Sequence, residues 1–596
     1  MRIKWFSFIR VTGLLLVLLY HFFKHTFSGG FVGVDIFFTF SGYLITALLI
    51  DEYVSKQTID VVAFFRRRFY RIVPPLVLLI LLTIPFTFLV KSDFIAGIGQ
   101  QIAAALGFTT NSYELLTGSS YESQFIPHLF VHTWSLAIEV HFYLLWGLLV
   151  WLLAKKGYSQ KKFRGILFLI SSAVFTLSYF SMFIRAFFVS DFSSVYFSTL
   201  SHSFPFFLGA MFATMTGIKD TTVRFQKNVK LWPRLHVIGV MAGAFALLLF
   251  LTLVLDFNHI FTYLFGFVLA SLFASVMIYA ARVLSDQTPT WQEPLLVTYL
   301  ADISYGIYLF HWPFYIIFTQ LMSNWLAVIL TVFFSVVFST LSYYIIEPLI
   351  QGKTPQLFGL AIDCNPYKKW LSGLALGLFL LMVGTCLTAP KVGNFETQLL
   401  VDSLQQSQSN LNKTHTLAAG DAHALSDVSI IGDSVALRSS DAFSKLMPTA
   451  QLDAAVSRNF SEAFELFENH IQSKSLSKTT VLAVGVNSLY NYAQDIQGFI
   501  DALPKGHRLV IVSPYDAKNA AQVAEAREHL LQLAKKYSYV TVADWYKAAV
   551  ENPNIWYGSD GVHYNNDAKL KGADLYVSTI QAAVERAAKK MPNSGC

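Results

Sequence analysis

The sequence predicts a chain of two unlike parts: a multi-pass all-α membrane domain of about eleven transmembrane helices, then an extracellular three-layer α/β domain with a parallel sheet. Three observations carry this. Of 596 residues, 54% are hydrophobic, 16% aromatic and only 14% charged, too apolar for a wholly soluble protein and too long for one domain. Apolar segments long enough to cross the hydrocarbon core recur as far as residue 389 and then stop. Beyond that point, short apolar runs alternate with helical stretches, the pattern of a parallel sheet covered by helices.

The expected spans are 7–26, 33–51, 73–90, 131–154, 165–188, 196–217, 236–255, 259–281, 300–320, 325–347 and 370–389. The run from Val11 to Tyr20 follows basic residues as a signal sequence would. It lacks a small-residue cleavage site, and apolar sequence resumes at once, so it reads as a retained first helix. The loops orient the bundle. With the N-terminus inside, the cytoplasmic loops hold Arg66, Arg67, Arg68 and Arg71, then Lys155, Lys156, Lys161, Lys162 and Arg164, then the basic stretch from Lys219 to Arg234, whereas the outer loop from 91 to 130 has Lys91 alone. An odd number of spans then puts residue 390 onward outside. The net charge of +7 is uneven: residues 390–596 hold 19 Lys/Arg and 21 Asp/Glu, so an excess of +9 resides in the membrane part, where it reads as positive-inside topology rather than a nucleic-acid footprint. Cys364, Cys386 and Cys596 are the only cysteines, so neither an intradomain disulfide nor a cysteine metal site is expected in the outer domain.

Ionisable residues within apolar spans are functional candidates, because lipid penalises them heavily. Arg10 and His21 bracket the first helix. The block Gly33-Val-Asp35-Ile-Phe-Phe-Thr-Phe-Ser41-Gly42 opens the second. Arg68-Phe-Tyr-Arg71 precedes the third, Trp134-Ser-Leu-Ala-Ile-Glu139 opens the fourth, and Tyr308-Leu-Phe-His311-Trp-Pro313 lies in the ninth. Together these blocks resemble the acyltransferase family 3 of integral membrane acyl carriers, over about residues 5–350. On that resemblance, Arg68 and Arg71, on a cytoplasmic loop, suit the phosphates of an acyl-CoA, since guanidinium forks bind phosphate bidentately; the alternative is that they are topology charges. His21, beside Arg10, Asp35 and Glu139, would act as base or acyl relay. Tyr196, near the outer face, would receive the acyl group after it crosses, or serve as an interfacial belt residue. His311 reads as structural. The sequence departs from the wall-acetylating branch at His202, where that branch would place an arginine.

Residues 351–389 are expected to form a cytoplasmic loop and the final span, and 390–425, rich in Ser, Gln, Asn and Ala, a polar tether. The α/β domain would occupy 426–596, with strands near 428–432, 451–456, 479–485, 507–513 and 538–543 and a last helix near 568–589. Its first strand ends in Gly432-Asp433-Ser434. Gly432 would permit a sharp turn, Asp433 would cap a helix, and Ser434 would stand at the carboxyl end of the strand, where open α/β sheets keep their sites. Alone, this is also an ordinary capped turn. Further along, Asp560-Gly-Val-His563 can hold a carboxylate beside an imidazole, and Val481 to Asn487 forms a strand ending in Gly485-Val-Asn487. Asp560 would orient His563, His563 would take the Ser434 proton, and the Asn487 amide with the Ser434 N–H would face a developing oxyanion.

These blocks resemble the SGNH hydrolase/transferase family, a flavodoxin-like fold, with Ser434, Gly485, Asn487, Asp560 and His563 on matching positions. The second block of that family departs here, reading Ala455-Val-Ser457-Arg458-Asn459. The third oxyanion donor is then the backbone of Ser457 or Arg458. No Gly-rich phosphate loop, metal-ligand cluster or internal repeat is evident. The two-part arrangement resembles the peptidoglycan O-acetyltransferases of the OatA type. It implies acetyl-CoA as donor substrate with no permanently bound cofactor, relay across the lipid bilayer to an acyl-Ser434, peptidoglycan strands as acceptor at the C6 hydroxyl of N-acetylmuramic acid, and lysozyme resistance. A glycan acetylesterase, an O-acetyltransferase of another surface polysaccharide, and a transporter with a glycan-binding outer domain remain alternatives.

Overall fold

The computed structural model describes the chain except residues 1–2, 25, 118–126, 190, 358, 419–426, 490, 518, 557–560, 566–570 and 596. It divides into two compact units, Met1–Lys391 and Val392–Cys596.

The first unit is helical. Among the described residues, eight helices of 21 to 27 residues are long and apolar enough to cross a membrane: Gly30–Lys56, Val61–Thr87, Val131–Ala154, Gln160–Arg185, Arg234–Val254, Thr262–Gln287, Asn324–Ile350 and Asn365–Thr388. The expected eleven therefore reduce to eight by this standard. The other three predicted spans are helical but short, broken or polar. Helix α1 (Phe6–Phe22) has 17 residues. The stretch 196–217 is broken into Ser193–Tyr196, Thr199–His202 and a thirteen-residue helix, Phe204–Thr216. Helix Leu295–Thr319 is long enough, but Asp302, Ser304, four tyrosines and His311 dilute its apolar content. Length, continuity and polarity, rather than absence of helix, separate the two counts.

Helix α2 (Gly33–Lys56) forms the centre of this unit and packs most extensively against α5 (Phe204–Thr216). Reciprocal glycines allow that approach: a Cβ on Gly42 would lie 1.9 Å from the Phe206 carbonyl oxygen, and one on Gly209 would lie 2.0 Å from that of Thr39. Without a strong hydrophobic drive between helices in lipid, such close backbone contact supplies the packing. Helix α3 (Val61–Thr87) corrects another expectation. It runs straight through Pro74 and Pro75, so Arg68 and Arg71 lie within a helix rather than on a loop. Asp60 caps it by accepting from the Ala63 N–H at 2.9 Å, which moves the helix start well before the prolines. Two further helices complete the frame of the site below, α4 (Trp134–Ala154) and α6 (Leu295–Thr319).

The second unit is a three-layer α/β structure. Strands β1 (Val428–Gly432), β2 (Gln451–Ala454), β3 (Thr479–Ala483), β4 (Arg508–Val512) and β5 (Val540–Ala543) form one parallel sheet in the order β2-β1-β3-β4-β5. Successive residues point to opposite faces, and each face buries its own core. Ile430, Val481 and Val510 pack with Trp545, Tyr576 and Ile580 on one side; Ile431, Leu482 and Ile511 pack with Phe467, Phe499 and Leu530 on the other. The strand order reverses direction at β1 and β3, and a doubly wound sheet keeps its sites in the crevice beyond the carboxyl ends of those two strands.

The expected tether is largely structure. Helix α7 (Asn394–Ala418) belongs to the second unit and packs along the edge strand β2. The Gln406 amide donates to the Ala454 carbonyl at 2.9 Å and accepts from the Ala454 N–H at 3.1 Å, imitating one rung of a missing neighbour strand. The polar composition that suggested a linker is that of a helix serving an exposed sheet edge.

Candidate functional site

In the α/β unit, β1 runs into helix α8 (Ser434–Leu437), capped by Asp433, whose side chain accepts from the Val435 N–H at 2.9 Å. Gly432 is needed for space and not for an unusual backbone angle: a Cβ there would fall 2.4 Å from the Ala436 Cβ. Ser434 is thereby fixed as the first helical residue, its side chain buried. From 129 residues away, His563 brings Nε2 to 2.8 Å from the Ser434 Oγ, and it too is buried. Hydroxyl and imidazole thus meet at the switch point of the sheet, the arrangement by which a base removes the proton of an attacking oxygen.

The histidine is held by a neighbour that sequence reasoning overlooked. Tyr564 is completely buried, donates its hydroxyl to the Val435 carbonyl at 2.9 Å and also bonds the Ser439 hydroxyl. Its own carbonyl accepts from Arg438 Nε at 3.2 Å. The residue after the imidazole is therefore tied to the helix that carries the serine and to the arginine just beyond it. Adjacency to His563 was the only sequence signal for Tyr564, and Arg438 offered none. Asp560, expected to orient His563, lies outside the described residues.

Burial pushes the Asp433 carboxyl up to about 6, against the opposing pull of the Val435 N–H, His563 and the N–H groups of Ala436 and Gly485. The Gly485 N–H is thus among the groups that favour the Asp433 carboxylate. With φ of 154° this residue also occupies a backbone region that favours glycine. Asn487 is exposed and donates its side-chain N–H to the Arg458 carbonyl at 3.3 Å, so the end of β3 meets the turn after β2. In that turn Ser457 is exposed and left-handed, with φ of 59°. Arg458 turns inward, its guanidinium donating to the carbonyls of Gly432 (3.2 Å) and Asp453 (2.6 Å).

In the helical unit, a cavity of about 110 Å³ gathers Arg10 of α1, Ser41 of α2, Arg68 and Arg71 of α3, and Glu139 and Tyr143 of α4. Glu139 accepts from the Ser41 hydroxyl at 2.6 Å and from Tyr143. The Arg68 guanidinium lies 5.5 Å from the Tyr143 ring centroid, and that of Arg10 lies 5.1 Å from that of Phe40. Three guanidinium groups around one carboxylate make a pocket suited to an anionic ligand.

The remaining candidates lie elsewhere. His21 is not among the residues lining this cavity; its Nδ1 is 2.7 Å from Nε2 of His311, which the sequence reads as structural. Asp35 is fully buried and paired with His202 Nε2 at 3.2 Å, while His202 Nδ1 donates to the Tyr196 carbonyl at 2.9 Å. Tyr196 is also fully buried, enclosed by the aromatic rings of Trp134, Phe257 and Phe267, which does not suit the alternative of an interfacial belt residue. The histidine at 202 is matched by this Asp35 contact.

An apolar helical bundle with an arginine-lined cavity, joined in one chain to an α/β unit with a serine–imidazole pair at its switch point, defines a membrane-associated protein equipped for acyl transfer. The chain belongs to the family described as "Acyltransferase domain", whose profile matches residues 3–347. It is 27% identical to the O-acetyltransferase OatA of Staphylococcus aureus strain NCTC 8325 / PS 47 over 603 aligned residues, covering 96% of this chain and 95% of that protein. It is 26% identical to a putative O-acetyltransferase of S. aureus strain COL, over 96% of each chain. Among solved structures, the C-terminal catalytic domain of Streptococcus pneumoniae peptidoglycan O-acetyltransferase A, bearing a methylsulfonyl adduct, is 39% identical across 28% of this chain and 98% of that one, with a TM-score of 0.28.

Proposed function

We propose that this protein is an O-acetyltransferase that acetylates peptidoglycan, taking acetyl from cytoplasmic acetyl-CoA, passing it through the helical unit and delivering it from Ser434 to the C6 hydroxyl of N-acetylmuramic acid. The observation that carries this reading is the buried 2.8 Å contact between Ser434 Oγ and His563 Nε2. The relatives named O-acetyltransferase, similar over nearly the whole chain, supply the group transferred. Arg68 and Arg71 would bind the phosphates of the donor, with Arg10 and Glu139 bordering the same cavity. His21 would serve thioester opening as base.

On the α/β unit, the Ser434 hydroxyl attacks the acetyl carbonyl while His563 Nε2 takes its proton, and the leaving group departs with the electron pair of its bond to the acyl carbon and takes the proton from Nε2. The acceptor hydroxyl then gives its proton to Nε2, attacks the acyl-serine and restores Ser434. Asp560 would orient His563, and the Ser434 N–H, the Asn487 amide and the Ser457 backbone would face the oxyanion. The eight long apolar helices, counted together with α1, the broken segment ending in α5, and α6, support eleven crossings and an extracellular α/β unit.

The test is to incubate the unit Val392–Cys596, which has its own two cores, with an activated acetyl ester and muroglycan oligomers, reading products by mass spectrometry. Acetyl on the muramoyl residue, lost in Ser434→Ala and His563→Ala, is the expected result. Ester hydrolysis that no glycan acceptor diverts would instead mark an esterase and overturn the proposal.

A further inference from the structure

We infer that His311 of α6 fixes the tautomer of His21, leaving the lone pair of His21 on Nε2; the inference rests on His21 being the base that serves thioester opening. Two backbone carbonyls fix the hydrogen of His311. Nδ1 of His311 lies 2.6 Å from the Tyr308 oxygen and 3.2 Å from that of Ile307. Carbonyl oxygens only accept, so this nitrogen carries the hydrogen. His311 is fully buried, and its described partners are those carbonyls and another imidazole, none of them anionic, so it is neutral and its Nε2 is an acceptor. The group 2.7 Å away, His21 Nδ1, must then be the donor. A neutral His21 with its hydrogen on Nδ1 has the basic lone pair on Nε2.

The surroundings reinforce this assignment. The two ring planes lie within 18° of each other with centroids 5.0 Å apart, so the imidazoles sit side by side along their shared hydrogen bond. The third histidine of this region, His132, donates Nε2–H to the Leu309 carbonyl at 2.9 Å and meets His311 only edge-on, at 5.9 Å between centroids. It does not compete for His311 Nε2. Tyr308 joins the pair to the cavity: its side chain lines the cavity wall and its hydroxyl donates to the His132 carbonyl at 2.8 Å, while its carbonyl holds His311. Along α1, His21 stands eleven residues beyond the cavity residue Arg10, about 16 Å at 1.5 Å per residue. An extended donor with its phosphates among the arginines would point its reacting end along that line. His311 is thus a positioning residue, acting on chemistry through His21 as a carboxylate acts through the histidine of a serine triad.

The experiment uses the full chain in lipid nanodiscs with acetyl-CoA, reading release of the CoA thiol. His21→Ala should abolish turnover. His311→Leu should lower kcat by about 100-fold with KM for acetyl-CoA unchanged within about twofold. His311→Gln, whose side-chain oxygen can accept the same hydrogen, should recover at least about ten-fold of that loss. His311→Met, of similar length and without an oxygen or nitrogen acceptor, replaces the leucine variant if the latter fails to assemble. Full turnover in His311→Leu or His311→Met while His21→Ala is inactive would overturn the inference alone, as would a glutamine variant no better than leucine although both elute and melt like the parent. Full turnover in His21→Ala would overturn the reading of His21 and the inference with it.

Discussion

The two units place an imidazole in opposite ways. In the α/β unit, His563 meets a hydroxyl, and both side chains are supplied by segments pinned to the carboxyl edge of one sheet. In the helical unit, His21 meets another imidazole, while the charged groups nearest it in sequence pattern face a separate cavity. A sheet collects chemistry at its edge because every parallel strand ends there; a bundle distributes it along helix faces, and only packing decides which faces meet. The first kind of site is inherited from topology, the second from helix rotation.

That contrast can be tested by separating the two half-reactions. Ser434→Ala should reduce acetylation of glycan by at least about 1,000-fold while leaving CoA release by the full-length protein measurable, because the proposed relay assigns the two chemistries to different units. Equal loss of both would erase the distinction. The next effect is on pH. Asp433 titrates near 6 when folded and at the ordinary 3.8 when unfolded, so the folded state holds the extra proton between those values. Its contribution to stability is complete below about 4 and lost as pH rises through about 6. Relative to Asp433→Asn, the parent α/β unit should therefore lose about 3 kcal/mol between pH 4 and pH 7, measured by urea unfolding. In the helical unit, Gly42→Ala should cost roughly 2 kcal/mol, seen as a lower melting temperature in detergent, because α2 must withdraw from α5. Gln406→Ala should give the smallest effect, about 1 kcal/mol in the α/β unit, from loss of its two bonds to Ala454.

The sequence disclosed the α/β site well because its signals are local. A buried apolar run followed by Gly-Asp-Ser admits few readings, and all five strands lie where the apolar runs placed them. What it missed there is contact across the chain: Tyr564 on Val435, Arg438 on Tyr564, and the Gly485 N–H turned to Asp433. The helical unit was legible as a set of helices and less so as a site. Hydropathy does not report rotation about a helix axis, so it groups Arg68 with Arg71 but leaves them on a loop, and it does not exclude a belt position for Tyr196, which its burial does not suit. His311 illustrates the limit best, since its partner lies 290 residues away and no periodicity links them. The polar composition of 390–425 misled for a related reason: a solvent-facing helix and a tether share the same residues.

Helix α7 also bears on how copies of this protein avoid one another. The outermost strand of an open sheet offers unsatisfied amide groups to any passing chain and is a template for self-association. Here β2 is one of the two edge strands, and α7 lies along it with Gln406 occupying both the donor and the acceptor of Ala454. An α/β unit cut free after α7 would keep its serine and histidine but expose this adhesive border. Its solubility, more than its chemistry, would record the missing helix.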